Sequence, residues 1–261
     1  MSVDLSINPE KTAEKIISFL KTTIKKTGFS KVTIGLSGGI DSSVVFYLTA
    51  KALDAKNIYP CLFPYGDFDM GGLDDTRTIL KKIGVSSENI YKQKIDLFVD
   101  SIIKKDKKIS GLRKGNIIVR TRMLLLYDEA KRNNALVIGT ENRTEYLLGY
   151  FTRYGDEASD LEPIIDLYKT QVRQLASFLK LPERIISKAP TAGMWKGQTD
   201  EGELGFSYKE ADCILHLFLD KEKSVSEIMS AGFSISKIRK VLDRMKENQF
   251  KHRLPYMCKL N

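Results

Sequence analysis

The chain has 261 residues, of which 42% are hydrophobic and 29% charged, and this composition suits one α/β domain with a core of its own. No apolar run approaches the roughly 18–20 residues that span a bilayer, and the N-terminus lacks the pattern of a signal peptide. Cys61, Cys213 and Cys258 are widely spaced and form no CxxC pair, which argues against a cysteine-ligated metal. We therefore expect a cytoplasmic protein without disulfides.

Lysine and arginine number 42 against 33 aspartates and glutamates, so the formal net charge is +9. Three interpretations remain open: a nucleic-acid partner, a small polyanion such as a nucleotide, or a solvated lysine-rich surface. The run Lys104-Lys105-Asp106-Lys107-Lys108 lies between patterned segments and is most simply an exposed connection.

The first half of the chain alternates between helical and strand-like periods. Asn8 and Pro9 suit the start of an amphipathic helix over residues 9–27. The pattern then predicts a strand at 32–36, a helix at 41–53, a strand at 58–63, a helix at 72–83, a weaker strand at 90–95, a long helix at 116–132 and a strand at 136–138.

Such alternation predicts a doubly wound parallel sheet flanked by helices. After residue 140 the pattern changes to a polar loop at 149–163 and helices at 169–180, 207–219, 224–231 and 234–248. We predict one domain over residues 1–261 with a helical C-terminal portion.

A glycine-rich segment, Ser37-Gly38-Gly39-Ile40-Asp41-Ser42, joins the first strand to the second helix. Glycines allow close backbone approach, and successive N–H groups at a helix N-terminus form an anion site. Asp41 would repel a phosphate, but it suits a site in which Mg²⁺ bridges the carboxylate to the phosphate. The segment matches neither G-x-x-x-x-G-K-[ST] nor G-x-G-x-x-G. We predict a phosphate-binding loop of another kind, and a plain Gly-Gly turn capped by Asp-Ser is the alternative.

Two further segments supply charged candidates. Arg120 and Arg122 lie two apart on a predicted helix, so their side chains point about 200° apart and cannot serve one contact. One is a candidate for a substrate phosphate or carboxylate, and two solvated arginines are the alternative. Beyond the strand at 136–138, Thr140 is a candidate nucleotide contact and Glu145 a second Mg²⁺ carboxylate. The alternative there is an acid-rich helix N-terminus.

Two loops are also candidates for binding. Residues 149–156 interleave aromatic residues with Gly, Arg and Asp, which is typical of a stacking platform or of a buried aromatic turn. Residues 188–201 show no regular period and include Trp195, Gly193 and Gly197. We predict that the 188–206 segment is a lid that hinges at these glycines.

These segments together carry a resemblance. Residues 37–42 are similar to the PP-loop of the N-type ATP pyrophosphatases, which cleave ATP between the α and β phosphates. Over residues 10–256 the chain resembles the ammonia-dependent NAD synthetases, through the motifs SGGIDS, RTRM, GTENRTE, GYFTRYGD, LYKTQV and KAPTAGMWKGQTDEGELGFSY. The resemblance implies an adenine nucleotide alpha hydrolase-like fold.

The resemblance also implies a ligase reaction, the last step of NAD biosynthesis. Deamido-NAD⁺, ATP and ammonia would give NAD⁺, AMP and pyrophosphate through an adenylated intermediate, with Mg²⁺ as cofactor. Relatives with a fused glutaminase carry about 250 further residues, for which this chain has no room, so free ammonia is the expected donor. The family usually forms homodimers.

Roles for individual residues follow from the same resemblance. Asp41, Glu145 and Lys169 would be catalytic, with Asp41 and Glu145 holding Mg²⁺. ATP would be bound by Gly35, Leu36, Ser37, Gly38, Gly39, Ile40, Asp41, Ser42, Thr140, Lys169 and Thr191. Deamido-NAD⁺ would be bound by Arg120, Arg153, Asp160, Lys251 and His252. Position 153 is often Lys in relatives, and Lys251-His252-Arg253 departs from the family's His-Lys-Arg order.

Two other functions compete with this one. A tRNA-modifying PP-loop enzyme would suit the positive charge, but the chain lacks a CxxC pair and an appended RNA-binding domain. A non-catalytic nucleotide-binding module would not need Asp41 paired with Glu145. We therefore expect neither a nucleic acid nor a membrane as partner.

Overall fold

A computed structural model describes residues 3–66, 70–191, 193, 197–253 and 257–258. Its sheet has four parallel strands in the order β3-β2-β1-β4. The strands are β1 Val32–Gly35, β2 Ile58–Leu62, β3 Tyr91–Lys92 and β4 Leu136–Ile138. The first strand lies inside the sheet with a neighbour on each side, so the segment that follows it opens at the middle of the carboxyl edge.

Helices connect the strands and form the C-terminal half. Their bounds are α1 Pro9–Lys26, α2 Ile40–Ala52, α3 Met70–Ile83, α4 Asp96–Ile103, α5 Gly111–Asn133, α6 Arg143–Leu148, α7 Lys169–Phe178, α8 Glu183–Ile186, α9 Asp200–Leu204, α10 Tyr208–Leu215, α11 Val225–Ser230 and α12 Ile235–Glu247. A π-helical turn, His216–Asp220, continues α10. In the described part of the chain, no helix combines the length and the apolar character needed to cross a membrane.

Helices cover both faces of the sheet, which confirms the doubly wound prediction. Neighbouring residues of β2 show why, because side chains alternate between the faces of a strand. Leu62 packs with α1, α2 and α7, whereas Cys61 packs in a smaller cluster with Val99 of α4 and Ile118 of α5. A third cluster joins α6 to α10, α11 and α12, so the predicted helical C-terminal portion has its own packed interior.

Helix starts follow local capping chemistry. Asn8 accepts a hydrogen bond from the Lys11 amide, and Pro9 occupies the first turn of α1, as predicted. The long helix begins earlier than predicted because Ser110 caps it and accepts a hydrogen bond from the Arg113 amide. Ser207 and Ser224 form capping boxes at α10 and α11.

Two predictions about elements were wrong. The strand expected at 90–95 covers only Tyr91–Lys92, because the chain turns at the edge of the sheet and Ile95 already occupies the N-cap position of the next helix, α4. The helix expected at 207–219 leaves α geometry after Leu215, where the π-helical turn begins. The sequence pattern gave no helix at α4, α8 or α9, and it offered α6 only as the alternative of an acid-rich helix N-terminus at Glu145.

Candidate functional site

The segment after β1 has the geometry of an anion-binding loop. Gly38 has φ of 76°, and a Cβ there would lie 2.3 Å from the carbonyl oxygen of Gly72, so only glycine fits. The Gly39 amide donates to the Ser37 hydroxyl at 3.2 Å, and that hydroxyl lies 3.2 Å from the Ser42 hydroxyl. The N-terminus of α2 therefore opens onto the cleft, where glycines allow close approach of a ligand and the Ser37 and Ser42 hydroxyls lie beside the backbone.

One buried lysine joins the two predicted metal carboxylates. The Lys169 Nζ lies 2.6 Å from Asp41 Oδ2 and 2.9 Å from Glu145 Oε1, and Lys169 is only 2% exposed. Asp41 lies 128 positions and Glu145 lies 24 positions from Lys169 in the sequence, and the fold joins the three side chains in one charged cluster. Two carboxylates this close need a cation between them, and Lys169 supplies one.

Asn142 connects this cluster to the backbone that positions it. Its side-chain oxygen caps α6 by accepting from the Glu145 amide at 3.0 Å, while its Nδ2 donates to Asp41 Oδ1 at 3.0 Å. Asn142 is completely buried. One side-chain amide therefore holds the Asp41 carboxylate and the backbone of Glu145, and sequence reasoning had assigned it no role although it lies within the GTENRTE motif.

A second layer of hydrogen bonds surrounds Glu145. The Tyr208 hydroxyl lies 3.3 Å from Glu145 Oε1 and 3.0 Å from Asp200 Oδ2. The Tyr150 hydroxyl bonds to Asp200 at 3.1 Å and also to Glu203. Sequence reasoning missed these partners. The end of the predicted lid, where α9 and α10 begin, is thereby tied to the charged cluster.

Burial and charge shift the pKa values in this cluster. Burial raises the pKa of Glu145, Asp41 adds to that rise, and Lys169 opposes it. Burial alone would lower the pKa of Lys169, but Asp41 and Glu145 outweigh it and hold the pKa above its ordinary value. Burial also raises the pKa of Tyr208, so its hydroxyl keeps the proton that it donates. The lysine therefore stays cationic near neutral pH.

The cluster and the loop line one cleft. All residues predicted to bind ATP line it except Gly38, whose neighbours on both sides in sequence do so. Its apolar wall comes from β2 and the residue after it, from α5 and from α8, through Cys61, Phe63, Leu126 and Ile185. The sequence prediction had drawn its candidates from segments more than 100 residues apart, and the fold brings them to the same edge of the sheet.

The structure describes residues 188–191, 193 and 197–206 of the predicted lid. Residues 192 and 194–196, including Trp195, lie outside the described residues. Gly193 and Gly197 have φ of 60° and 80°, which fits the proposed hinges. The Asp200 amide donates to the Pro190 carbonyl at 3.0 Å and brings the two ends of the loop together. Residues 200–204 form α9 rather than loop.

The arginines predicted for the dinucleotide lie outside this cleft. Arg120 donates to the Arg153 carbonyl at 3.2 and 3.0 Å, and Arg153 donates to the Arg253 carbonyl at 2.6 Å. Arg122 instead lines the cleft and donates to the Phe63 carbonyl at 3.1 Å. The expectation that Arg120 and Arg122 make different contacts is therefore confirmed.

The remaining dinucleotide candidates also contact backbone. Asp160 accepts from the Val137 amide at 2.7 Å. Lys251 donates to the carbonyls of Gly149 and Phe151 at 2.6 and 2.9 Å. The His252 ring stacks on Tyr146 with centroids 4.1 Å apart. Arg120, Lys251 and His252 all contact residues 146–153, whereas Asp160 contacts β4. The predicted role of these side chains stays a prediction.

The donor set at the cluster suits Mg²⁺. Asp41 and Glu145 offer hard carboxylate oxygens, and Lys169 Nζ bonds to one oxygen of each, so Mg²⁺ would use lone pairs that the lysine leaves. Within the described ranges, no group of three or more His, Cys, Asp or Glu side chains converges on one point. Mg²⁺ at this pair would therefore take its other ligands from water and phosphate, as it commonly does.

A parallel sheet with a phosphate loop after its central strand, and a lysine between two carboxylates beside it, defines a nucleotide-binding α/β protein. The NAD synthase family model matches residues 12–255, and the chain belongs to that family.

Individual relatives agree. The chain is 39% identical over 256 residues to an NH(3)-dependent NAD(+) synthetase of Fusobacterium nucleatum, covering 98% of both chains. Its structure is similar to an NMN synthetase of Francisella tularensis (TM-score 0.85, 29% identity, 98% of this chain and 100% of that one). It is also similar to an NH3-dependent NAD synthetase of Campylobacter jejuni (TM-score 0.82, 31% identity, 97% and 100%).

Proposed function

We propose that the chain is an ammonia-dependent NAD synthetase that uses this cleft. The reaction is the ATP-dependent amidation of deamido-NAD⁺, with AMP and pyrophosphate as the other products, and it makes the chain a C–N ligase. The observation that carries the proposal is Lys169 between Asp41 and Glu145, beside the loop at residues 37–42. Family membership over residues 12–255 supports the choice of substrate.

The chemistry has to overcome two obstacles. A carboxylate is a poor electrophile for ammonia. The nicotinate carboxylate therefore first attacks the α phosphorus of ATP, displaces pyrophosphate and becomes an adenylate. That step brings negative groups together, and the loop N–H groups and Lys169 offset the charge where it develops. Mg²⁺, when held by Asp41 and Glu145, supplies further positive charge to the phosphates. Ammonia then attacks the acyl carbon, and AMP leaves.

The lid gives this intermediate protection from water. An acyl adenylate hydrolyses readily, so the cleft has to close before ammonia attacks. The two ends of the lid already meet through the bond between the Asp200 amide and the Pro190 carbonyl. Thr191 lines the cleft near the start of that segment and is the predicted ATP contact there.

Deamido-NAD⁺ is assigned to Arg120, Arg153, Asp160, Lys251 and His252. Support comes from the position of Arg120, Arg153, Lys251 and His252 around residues 146–153, and from two guanidinium groups that can bind phosphate or carboxylate. Because each of these side chains now bonds to protein backbone, the substrate would replace some of those contacts.

A homodimer is the expected assembly. Leu97, Phe98 and Ile102 of α4 are 86%, 46% and 55% exposed, and Leu112 on the adjacent α5 is 65% exposed. A patch of this kind is typical of a surface covered by a partner, and we assign it to a second copy of the chain. Leu97→Glu should yield monomers in sedimentation equilibrium, whereas Met229→Glu on α11 should not. A dimer that survives Leu97→Glu would contradict this assignment.

The cytoplasm is the expected compartment. Cys61, Cys213 and Cys258 are free thiols, which suits a reducing environment. Free ammonia is the proposed nitrogen donor.

The experiment supplies ATP, Mg²⁺, ammonium and deamido-NAD⁺ and measures AMP and NAD⁺. We expect both products in equal amounts, and neither without ammonium or the acid substrate. Nicotinic acid mononucleotide serves as the competing acid, because one similar structure is an NMN synthetase. If the chain turns over the mononucleotide faster than deamido-NAD⁺, then the mononucleotide is its substrate and the proposal is wrong on this point. AMP formed only with tRNA, or ATP binding without turnover, would contradict the proposal.

A further inference from the structure

Asp75 of α3 holds two cations on its two carboxylate oxygens. Arg184 Nε lies 2.7 Å from Oδ1, and Lys188 Nζ lies 3.1 Å from Oδ2. The side chain of Asp75 is 10% exposed. The cluster joins α3 to α8 and to the first residue of the lid, and none of its three members has been given a role above.

The two cations differ in their surroundings. Arg184 is 57% exposed and also donates to the Thr78 hydroxyl at 2.6 Å, so α3 itself holds it. Lys188 is 35% exposed and lines the ATP cleft, three residues before Thr191. One cation is therefore fixed on the outer surface, and the other faces the cleft.

The cluster lies beside the phosphate loop. Gly72, at the start of α3, packs so closely on Gly38 that a Cβ at Gly38 would contact its carbonyl. Asp75 follows Gly72 by about one helical turn. Ser37, Gly39 and Lys188 line the same cleft. The lysine therefore approaches the rim of the loop where the polyphosphate of ATP would lie.

We propose that Lys188 is a polyphosphate-binding residue, and that Asp75 holds it at the rim of the cleft until ATP enters. This proposal rests on the ATP site of the proposed function. The β and γ phosphates carry more charge than one carboxylate, and they attract the lysine away from Asp75.

The exchange leaves no buried charge unpaired. A carboxylate that loses its only partner is strongly destabilised, but Asp75 keeps Arg184 when Lys188 departs. The pair between Asp75 and Lys188 is partly exposed, so it holds the lysine only weakly. A strong single ion pair would prevent the exchange, and the second cation removes that difficulty.

The test measures binding of magnesium pyrophosphate by calorimetry to the full chain and to three variants. Lys188→Met should weaken binding by about 10-fold or more, the usual effect of one lost charge-assisted contact. Binding of AMP, which lacks the β and γ phosphates, should stay within about 2-fold. Asp75→Asn should tighten pyrophosphate binding by about 2- to 5-fold, because a weak competing pair is gone.

Arg184→Gln is the matched control, because it also removes a cation from Asp75 but lies away from the cleft. We expect a smaller loss of pyrophosphate affinity than in Lys188→Met, below about 5-fold, because Asp75 then keeps Lys188 as its remaining cation and holds it more strongly. Weaker binding by Asp75→Asn, or an equal loss in Arg184→Gln and Lys188→Met, would show a merely structural cluster and overturn the proposal. If Asp75→Asn does not fold, the comparison of the other two variants still decides.

These measurements need no dinucleotide and no ammonia. A wild-type chain that binds pyrophosphate but makes no NAD⁺ would sink the proposed function and leave the role of Lys188 standing. A wild-type chain that does not bind pyrophosphate would overturn the role of Lys188 directly.

Discussion

The two halves of the proposed site are built in opposite ways. On the ATP side, Asp41, Glu145 and Lys169 bond to one another inside the protein and line one cleft. On the dinucleotide side, Arg120 and Arg153 bond to backbone carbonyls outside that cleft. In the first half, charged side chains bond to side chains of opposite charge. In the second, charged side chains bond to neutral backbone groups.

This difference indicates which half is already arranged for its ligand. An ion cluster held by Asn142 and Tyr208 loses little freedom when ATP binds, and preorganised charge is what stabilises a transition state. Arginines on carbonyls have satisfied hydrogen bonds but uncompensated charge, so a phosphate can replace the carbonyl at a gain. Variants on the two sides should therefore affect different kinetic constants.

The largest effect should come from Lys169→Met. The variant removes the charge that faces the phosphates and leaves Asp41 and Glu145 as close carboxylates without their cation. Pyrophosphate release should fall by about 10³-fold or more. Lys209→Met, at an exposed position of α10, is the control and should keep wild-type turnover. Turnover of Lys169→Met within about 10-fold of wild type would remove this residue from the ATP half.

A smaller effect of a different kind should follow Arg153→Ala. We expect the KM for deamido-NAD⁺ to rise by about 10- to 100-fold, as for a lost charge-assisted contact, while the KM for ATP stays within about 2-fold. Arg113→Ala removes an exposed guanidinium on α5 and should leave both constants unchanged. Equal increases in both KM values would erase the division between the halves.

Tyr208→Phe tests the support around Glu145. Its hydroxyl lies 3.0 Å from Asp200 and 3.3 Å from Glu145, and its one proton is lost to this pair of carboxylates when it is removed. We expect kcat to fall by about 3- to 10-fold, and stability to fall by about 1–2 kcal/mol, because a buried acceptor is left without its partner. Tyr59→Phe, on β2, provides the comparison. An unchanged kcat with lowered stability would limit Tyr208 to a packing role.

The smallest effect concerns the junction between the halves. Glu162 accepts from the Glu141 amide at 3.2 Å and from the Ser159 hydroxyl at 2.7 Å. Burial raises the pKa of Glu162 to about 7, above its ordinary value. An acid whose pKa is raised on folding contributes stability at low pH, and that contribution is lost as the pH rises through the folded pKa.

The melting temperature of the wild type should therefore fall between about pH 5 and pH 8, and Glu162→Gln should reduce that fall by about 2–6 °C. Glutamine keeps the acceptor oxygen but cannot ionise. Glu183→Gln, on α8, is the control and should melt like the wild type across this range. A steeper fall in Glu162→Gln would mean that the sign of the shift is wrong.

Much of the ATP half could be predicted from the sequence because its signals are local. The alternation of short apolar strands with amphipathic helices gave the sheet, and the strand at 136–138 matches β4 at both ends. The loop at 37–42 is contiguous, so its glycines and Asp41 could be read together. The position of Thr140 and Glu145 followed from the rule that ligands bind at the carboxyl edge of a parallel sheet.

The parts that were missed depend on contacts between distant segments. Asn142 and Tyr208 make ordinary local caps or helix starts, and only the fold brings them to Asp41 and Glu145. The pairing of Asp75 with Lys188 spans 113 residues and has no local pattern at all. The π-helical turn after Leu215 likewise departs from a helical period that continues in the sequence.

The most direct test of the central claim, that the cluster beside the loop cleaves ATP, is pyrophosphate release by Asp41→Asn. The assay contains saturating ATP, Mg²⁺, ammonium and deamido-NAD⁺, and circular dichroism and thermal melting monitor the fold. We expect release to fall by at least about 10³-fold with the fold intact, because asparagine lacks the negative charge but keeps one oxygen that accepts from Lys169. Turnover retained in a folded Asp41→Asn variant would contradict the account.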